Sequence, residues 1–351
     1  MKTVLSLILM IMLASLPLTA QDLQGSSGRF YVDFEHEFEI GAGGELDAAE
    51  VPGDYKVTGW DRDKVVVKHH LKIRSFTKTE AREIYRRAEN SVEKSGNSVR
   101  IRGDYNGSRI SSSFVINVPK KFDIDISTSG GDITISNVTG EIECSTSGGD
   151  IELDEIAGRT QVSTSGGDIH VSNSSGHIKG STSGGDVELR DILGPAHFST
   201  SGGDISLDHA PDDVHVNTSG GDISIRRVDG KVSGNTSGGD IRVQDCTGEV
   251  SVNTSGGDIT ASNLDSHVKV NTSGGDIRLT DIRAGISGNT SGGDVTAEMT
   301  LEDFSKPHAV NLRTSGGTIK LTLPAKLPAS ITAKIKTSRH DYGEERYDIY
   351  S

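Results

Sequence analysis

Thr128-Ser129-Gly130-Gly131-Asp132-Ile133 is followed by Thr146-Ser147-Gly148-Gly149-Asp150-Ile151, and Thr-Ser-Gly-Gly-Asp then returns at Thr164, Thr182, Thr200, Thr218, Thr236, Thr254, Thr272 and Thr290. Every step is 18 residues, with no insertion across ten copies. An eleventh copy, Thr314-Ser315-Gly316-Gly317-Thr318, comes after 24, so six residues are inserted between Leu301 and Ala309. With each Thr as position 1, position 6 is always Ile or Val, and position 8 is Ile, Leu, Val or Ala. Apolar residues at 6 and 8, and again at 15 and 17, alternate with polar ones, which is the period of a strand. Position 11 is mostly apolar as well. Gly at 3 and 4, and often at 13, supplies corners and leaves no room for a useful helix.

One such unit cannot bury its own apolar side chains. Stacked about 4.8 Å apart, successive units pair their backbones and merge their apolar positions into a thin continuous core. The expected fold is all-β: a single-stranded parallel β-helix, or β-solenoid, with 18-residue coils forming a rod of roughly 50–60 Å. A β-propeller blade needs about 40 residues, so 18 is too few.

A longer period overlies the first. Position 17 is Gly at 180, 234 and 288, every 54 residues, as if a three-coil block had been duplicated. Phe198 lies one coil from Gly180, so its ring is expected to fill the space that the glycine leaves. Cys144 and Cys246 fall six coils apart, about 29 Å at the strand spacing. A disulfide needs Cα atoms within about 7 Å, so both are expected free and buried.

The flanks divide the remainder. Lys2, the apolar run Val4 to Leu13 and small residues ending at Ala20 read as a signal peptide over 1–20, cleaved after Ala20. Ser15, Pro17 and Thr19 break that run before the ~20 apolar residues a membrane span needs. Residues 21–28 read as a linker. Val51-Pro52-Gly53-Asp54-Tyr55-Lys56-Val57-Thr58-Gly59-Trp60, followed by Val65 and Val67, echoes the repeat. Residues 29–118 are therefore read as degenerate early coils plus an N-terminal cap. The cap holds one helix, Thr79 to Ala88, with acid early and base late, and a hairpin over Ser91 to Arg102 turning at Ser95-Gly96-Asn97. Residues 119–323 form the regular solenoid, and 324–351 a degenerate last coil and cap through Ile331, Ala333, Ile335 and the strand-like 347–351.

Gly53 to Asp61, the Val118-Pro119-Lys120-Lys121-Phe122 corner and the repeated Thr-Ser-Gly-Gly-Asp-Ile resemble the "putative adhesin" domain of unknown function of bacterial envelope proteins. The resemblance spans about residues 30–340. It implies a right-handed parallel β-helix in an exported protein, and it carries no set of functional residues with it.

Two outward rows are the candidate sites. The first is Asp132, Asp150, Asp168, Asp186, Asp204, Asp222, Asp240, Asp258, Asp276 and Asp294. Stacked carboxylates repel by about 1 kcal/mol per pair in water, so hydrogen bonds from Gly-Gly or Ser amides of the same corner are expected to hold them. The alternative is a row of Ca²⁺ ions, each needing 6–8 oxygens. The second row is position 18, with Ser at 145, 163, 181 and 199, then Asn at 217, 235, 253, 271 and 289. Alternation turns the preceding apolar 15 and 17, and the following Thr, inward and leaves these side chains outward, where stacked amides can bond along the rod. Inward Thr argues against an ice-binding face. The Asn residues head Asn-Thr-Ser sequons too closely spaced for all to carry sugars.

The net charge of −14 argues against nucleic acid and anionic membrane as partners. The eleven His show no metal spacing and are each expected on the surface. Uniform coils leave only 71–112 and 301–309 to wall a cleft. The sequence thus points to a non-catalytic exported envelope protein, adhesin-like, contacting a surface polysaccharide or another envelope protein, without a cofactor. A polysaccharide-active enzyme using carboxylates near 301–309, and a calcium-stabilised module, are the alternatives.

Overall fold

A computed structural model describes residues 23–26, 28–49, 51–75, 77–103 and 109–334. The expected signal peptide, Ile335 and the strand-like 347–351 lie outside the described residues. From position 128 onward each coil holds a longer strand, such as Ile151–Ala157, and a four-residue strand, such as Thr160–Ser163. The longer strands join a 16-stranded sheet and the shorter ones a 14-stranded sheet. Successive coils pair in parallel with like residues opposite like: Ile133 with Ile151 and Ile151 with Ile169, Asn217 with Asn235 and Asn235 with Asn253. The architecture is the expected parallel β-solenoid with 18-residue coils.

Positions 6, 8, 11, 15 and 17 are buried and build one core between the sheets. Positions 8 and 11 share a face although three residues apart, which plain alternation forbids. The residue between them at position 10 makes this possible. In nine consecutive coils it sits at positive φ, from 48° at Asn173 to 75° at His209, and that left-handed residue turns the chain so that position 11 faces inward again. Asn, Asp and His tolerate this conformation; Glu155 and Arg227 are there against their preference.

The core fits together across coils at Gly180, which pairs with Phe198. A Cβ at Gly180 would lie 2.5 Å from the Phe198 Cδ1, so the ring fills the space as expected. Gly180→Val should therefore lower stability by about 1–3 kcal/mol, and adding Phe198→Leu should recover part of that in the same melting experiment. At Gly234 and Gly288 a Cβ would stand 3.3 Å from Val252 and 3.2 Å from Leu312, so those sites should tolerate Ala better. Cys144 and Cys246 are free and buried. Burial pushes both thiols up, that of Cys246 to about 11, so neither is a reactive thiolate at neutral pH.

The N-terminal region departs from a simple run of early coils. Strand Gly53–Trp60 pairs in parallel with Ile133–Thr139 on one side and Ile110–Pro119 on the other. Strand Gly44–Ala49 likewise lies between Phe122–Ser127 and Ser98–Ile101. The coil that includes 44–49 and 53–60 is thus clamped between one that includes 98–101 and 110–119 and the first regular coil, so chain order and stacking order differ. Val65 and Val67 do not belong to a following corner. They lie on Lys64–Arg74, which runs antiparallel to Arg29–Glu39 and to Ile110–Pro119. These antiparallel strands, the hairpin Val92–Ser95/Ser98–Ile101 and helix α1 (Lys78–Glu89) cover the end of the rod. The helix begins where Thr77 accepts a hydrogen bond from the Glu80 amide, and Arg86 and Arg87 occupy its last turn.

The cap also corrects the expectation that every His is on the surface. His69 is 1% exposed. Its ring stacks 4.2 Å from Phe114 and 5.5 Å from Phe34, and its Nε2 lies 3.1 Å from the Ser112 hydroxyl. Position 69 points inward because Leu71 and Ile73 on the same strand do.

At the other end the last strands, Val310–Arg313 and Ile319–Thr322, have no described strand beyond them. Ile319 is 43% exposed there. Residues 323–334 form no strand, and Ile331 is 72% exposed, so the expected degenerate last coil is not formed among the described residues.

Candidate functional surfaces

Each Thr-Ser-Gly-Gly-Asp corner is tied to the one before it. The Thr side chain is buried, as alternation requires. In the second copy, Thr146 Oγ1 donates to the Gly131 carbonyl at 3.0 Å and accepts from the Gly149 amide at 3.3 Å. The pattern repeats to Thr290, which removes this hydroxyl row from the outer surface.

The ten aspartates form one outward row, exposed except for the half-exposed Asp168. Their partners differ from those expected. Oδ1 accepts not from the corner's own glycines but from the amide of the next aspartate up the rod: Asp150 N to Asp132 at 3.0 Å, Asp294 N to Asp276 at 2.7 Å. Thr318 N closes the row on Asp294 at 2.6 Å. A stacking bond between coils, rather than a local turn, offsets the repulsion between neighbours. Asp54 joins the row, accepting from the Asp132 amide at 3.2 Å. Its place is visible in the Gly53-Asp54 echo of the repeat. Among the described residues no three His, Cys, Asp or Glu side chains converge as a metal site.

The position-18 row behaves as expected. Asn235, Asn253, Asn271 and Asn289 each donate from Nδ2 to the Oδ1 of the preceding Asn at 2.7–2.9 Å. These amides are half-buried and mutually bonded, which leaves their sequons poorly placed as sugar acceptors. Asn253→Ala removes both a donor and an acceptor. Thermal unfolding should show a loss of about 1–3 kcal/mol. Asn253→Ser should cost less, because serine fills this same row at 163, 181 and 199.

Two carboxylates around the inserted loop, Asp281 and Asp303, are already engaged. Hydrogen bonds from Thr300 and then Arg283 hold Asp281 below the usual carboxylate range. Asp303 is held down by the Ser305 hydroxyl and amide, at 2.7 and 3.0 Å. A general acid needs the opposite shift. The carboxylate displaced upward is Asp125, by burial and then by Asp47, Glu143 and Glu45. Asp47, Asp125 and Glu143 face outward in register on the shorter-strand sheet, with Arg102 paired to Asp47. The sequence did not reveal this acidic column, because the order of the clamped N-terminal coil is not written in the 18-residue spacing.

A cleft of about 950 Å³ lies between the end of α1 and the first Thr-Ser-Gly-Gly corner, lined by Pro52, Arg87, Asn90, Arg102, Ser129 and Ser147 among others. No helix among the described residues is long and apolar enough to cross a membrane.

No curated protein matches the chain. A crystal structure of a putative adhesin from Bacteroides fragilis NCTC 9343 aligns at 14% identity over 82% of this chain and 96% of that one, with a TM-score of 0.23. One of a putative lipid binding protein from Parabacteroides distasonis ATCC 8503 aligns at 14% identity over the same shares, with a TM-score of 0.21. At such scores neither carries an argument about this molecule. The family profile described as Toastrack DUF4097 is a different matter, for it matches residues 79–235 and again 208–344, and the repeats that dictate the solenoid lie within those spans. The chain belongs to the Toastrack DUF4097 family, whose function is unknown.

Proposed function

We propose that this protein is exported to the bacterial cell envelope and works there as a non-catalytic, adhesin-like rod, laying its outer faces along a surface polysaccharide or another envelope protein. The observation that carries this reading is the in-register stacking of polar side chains. Rows of Asn amides, Ser hydroxyls and Asp carboxylates repeat at one coil spacing along the rod, and a partner with its own repeat can meet many rungs at once. The apolar leader from Val4 to Leu13 supports export. The net charge of −14 favours a neutral or cationic partner over an anionic one.

The enzyme alternative finds little support at the place it needs it, since Asp281 and Asp303 near the loop are both held below the usual carboxylate range. The calcium alternative has no converging set of three or more ligands among the described residues behind it. A chelator that lowered the melting temperature would favour calcium, because a ligand bound only to the folded state raises stability.

A glycan array probed with the protein lacking residues 1–20 tests the proposal. Binding to one or more repetitive surface glycans, weakened when Asn235, Asn253 and Asn271 are all replaced by Ser, is the expected result. Hydrolysis of a bound glycan, or binding unaffected by every outward substitution on the rod, would contradict it.

A further inference from the structure

On the shorter-strand sheet, position 16 faces outward, and its column runs Lys179, His197, His215, Ser233 in register. His197 and His215 are the one pair of histidines directly opposite each other on adjacent strands among the described residues. Their rings stack with centroids 4.6 Å apart and planes inclined by 28°. His197 is exposed and His215 half-buried.

Other histidines on the strands lean on carboxylates. His70 lies 2.5 Å from Asp33, His170 3.2 Å from Glu188, and His209 2.7 Å from Asp191. His197 and His215 have each other instead, with Lys179 next in the column, and two imidazolium ions in contact repel. The Asn217 amide braces one of them: its Nδ2 lies 2.8 Å from His215 Nε2, and its Oδ1 accepts from Asn235.

We propose that His197 and His215 form a two-imidazole site for a borderline divalent transition-metal ion such as Cu²⁺. Imidazoles on adjacent strands suit Cu²⁺, Ni²⁺ and Zn²⁺, whereas Ca²⁺ and Mg²⁺ prefer oxygen. Rotation of the two side chains turns their nitrogens toward one ion in solvent, and water completes its coordination. Lys179 opposes the cation, but its long flexible side chain can swing away. The site lies midway along the rod and does not depend on the polymer-binding reading.

The test is calorimetric titration of the full chain with Cu²⁺ alone at neutral pH and at about pH 5, where imidazoles take up protons. The variants are His197→Ser and His215→Ser, singly and together, with His170→Ser as control. Serine already fills this column at 233, 251 and 287, so the variants should fold as the parent does. The expected result is a tight equivalent of Cu²⁺ per chain, lost in either single variant and at the lower pH, and kept in the control. Tight binding that persists in the double variant, or no binding by the parent, would overturn the proposal.

Discussion

Alanine at Gly203 should lower stability by about 3 kcal/mol, whereas alanine one residue earlier, at Gly202, should change it by no more than about 0.5 kcal/mol. A Cβ on Gly203 would overlap the carbonyl oxygen of Gly185 in the coil before and lie 2.5 Å from the Asp186 Oδ1. Neither neighbour is free to move, because Asp186 Oδ1 holds the Asp204 amide and the Gly185 carbonyl holds Thr200. A Cβ on Gly202 would meet only ordinary contacts of 3.5 Å and beyond, at a backbone angle that any residue adopts. Thermal melts of the two single variants settle the matter. Equal effects would mean that the coils do not approach closely at the second glycine. The same asymmetry should hold for Gly148 and Gly149, where the close approach recurs.

Acid should weaken the N-terminal cap through His69. Burial pushes its pKa from the ordinary 6.5 down to about 3, with His36 and His70 adding repulsion. A histidine depressed in this way stays neutral in the folded state while the unfolded chain takes up a proton. Its contribution is intact above 6.5 and is lost as pH falls from there toward 3. At about pH 5 the loss amounts to about 2 kcal/mol. Replacing both partners of the buried bond, His69→Phe with Ser112→Ala, should remove most of this slope while keeping the aromatic stack with Phe34 and Phe114. Denaturation midpoints followed from pH 7 to about pH 4 should fall steeply for the parent and less steeply for the double variant. Parallel slopes would show that His69 is not the group being titrated.

The regular part of this fold was open to reading because one physical constraint acts on every coil alike. Inward positions must be apolar and the close corner must be glycine, so the pattern appears ten times over. Thr128 to Thr290, the alternating Ile and Val, and the Asn row all carry their places on their faces. The left-handed residue at position 10 was hidden, since Glu155 and Arg227 are forced there by the core on either side and not by local preference. The clamped N-terminal coil was hidden for a different reason: its partners lie more than 50 residues away, and no local signal encodes the order in which separate coils stack. His69 followed from the same gap, because its inward face is set by an antiparallel partner strand. Of the candidate surfaces, the aspartate row was legible but its donors were not, as a bond to the next coil cannot be told from a bond within the corner until the register is known. The His197–His215 contact was likewise latent in an 18-residue spacing shared by two histidines.

The claim that like residues lie directly above one another can be measured without a crystal. Nitroxide labels on cysteines placed at the exposed Ser165 and Ser237 are four 18-residue steps apart, and at Ser165 and Ser291 seven. Cys144 and Cys246 are buried and should stay unlabelled. Double electron–electron resonance should give backbone separations of about 19 Å and about 34 Å, rising by about 4.8 Å per step. A second distance no longer than the first, or one that does not scale with the number of coils, would contradict the stacked rod and every row inferred from it.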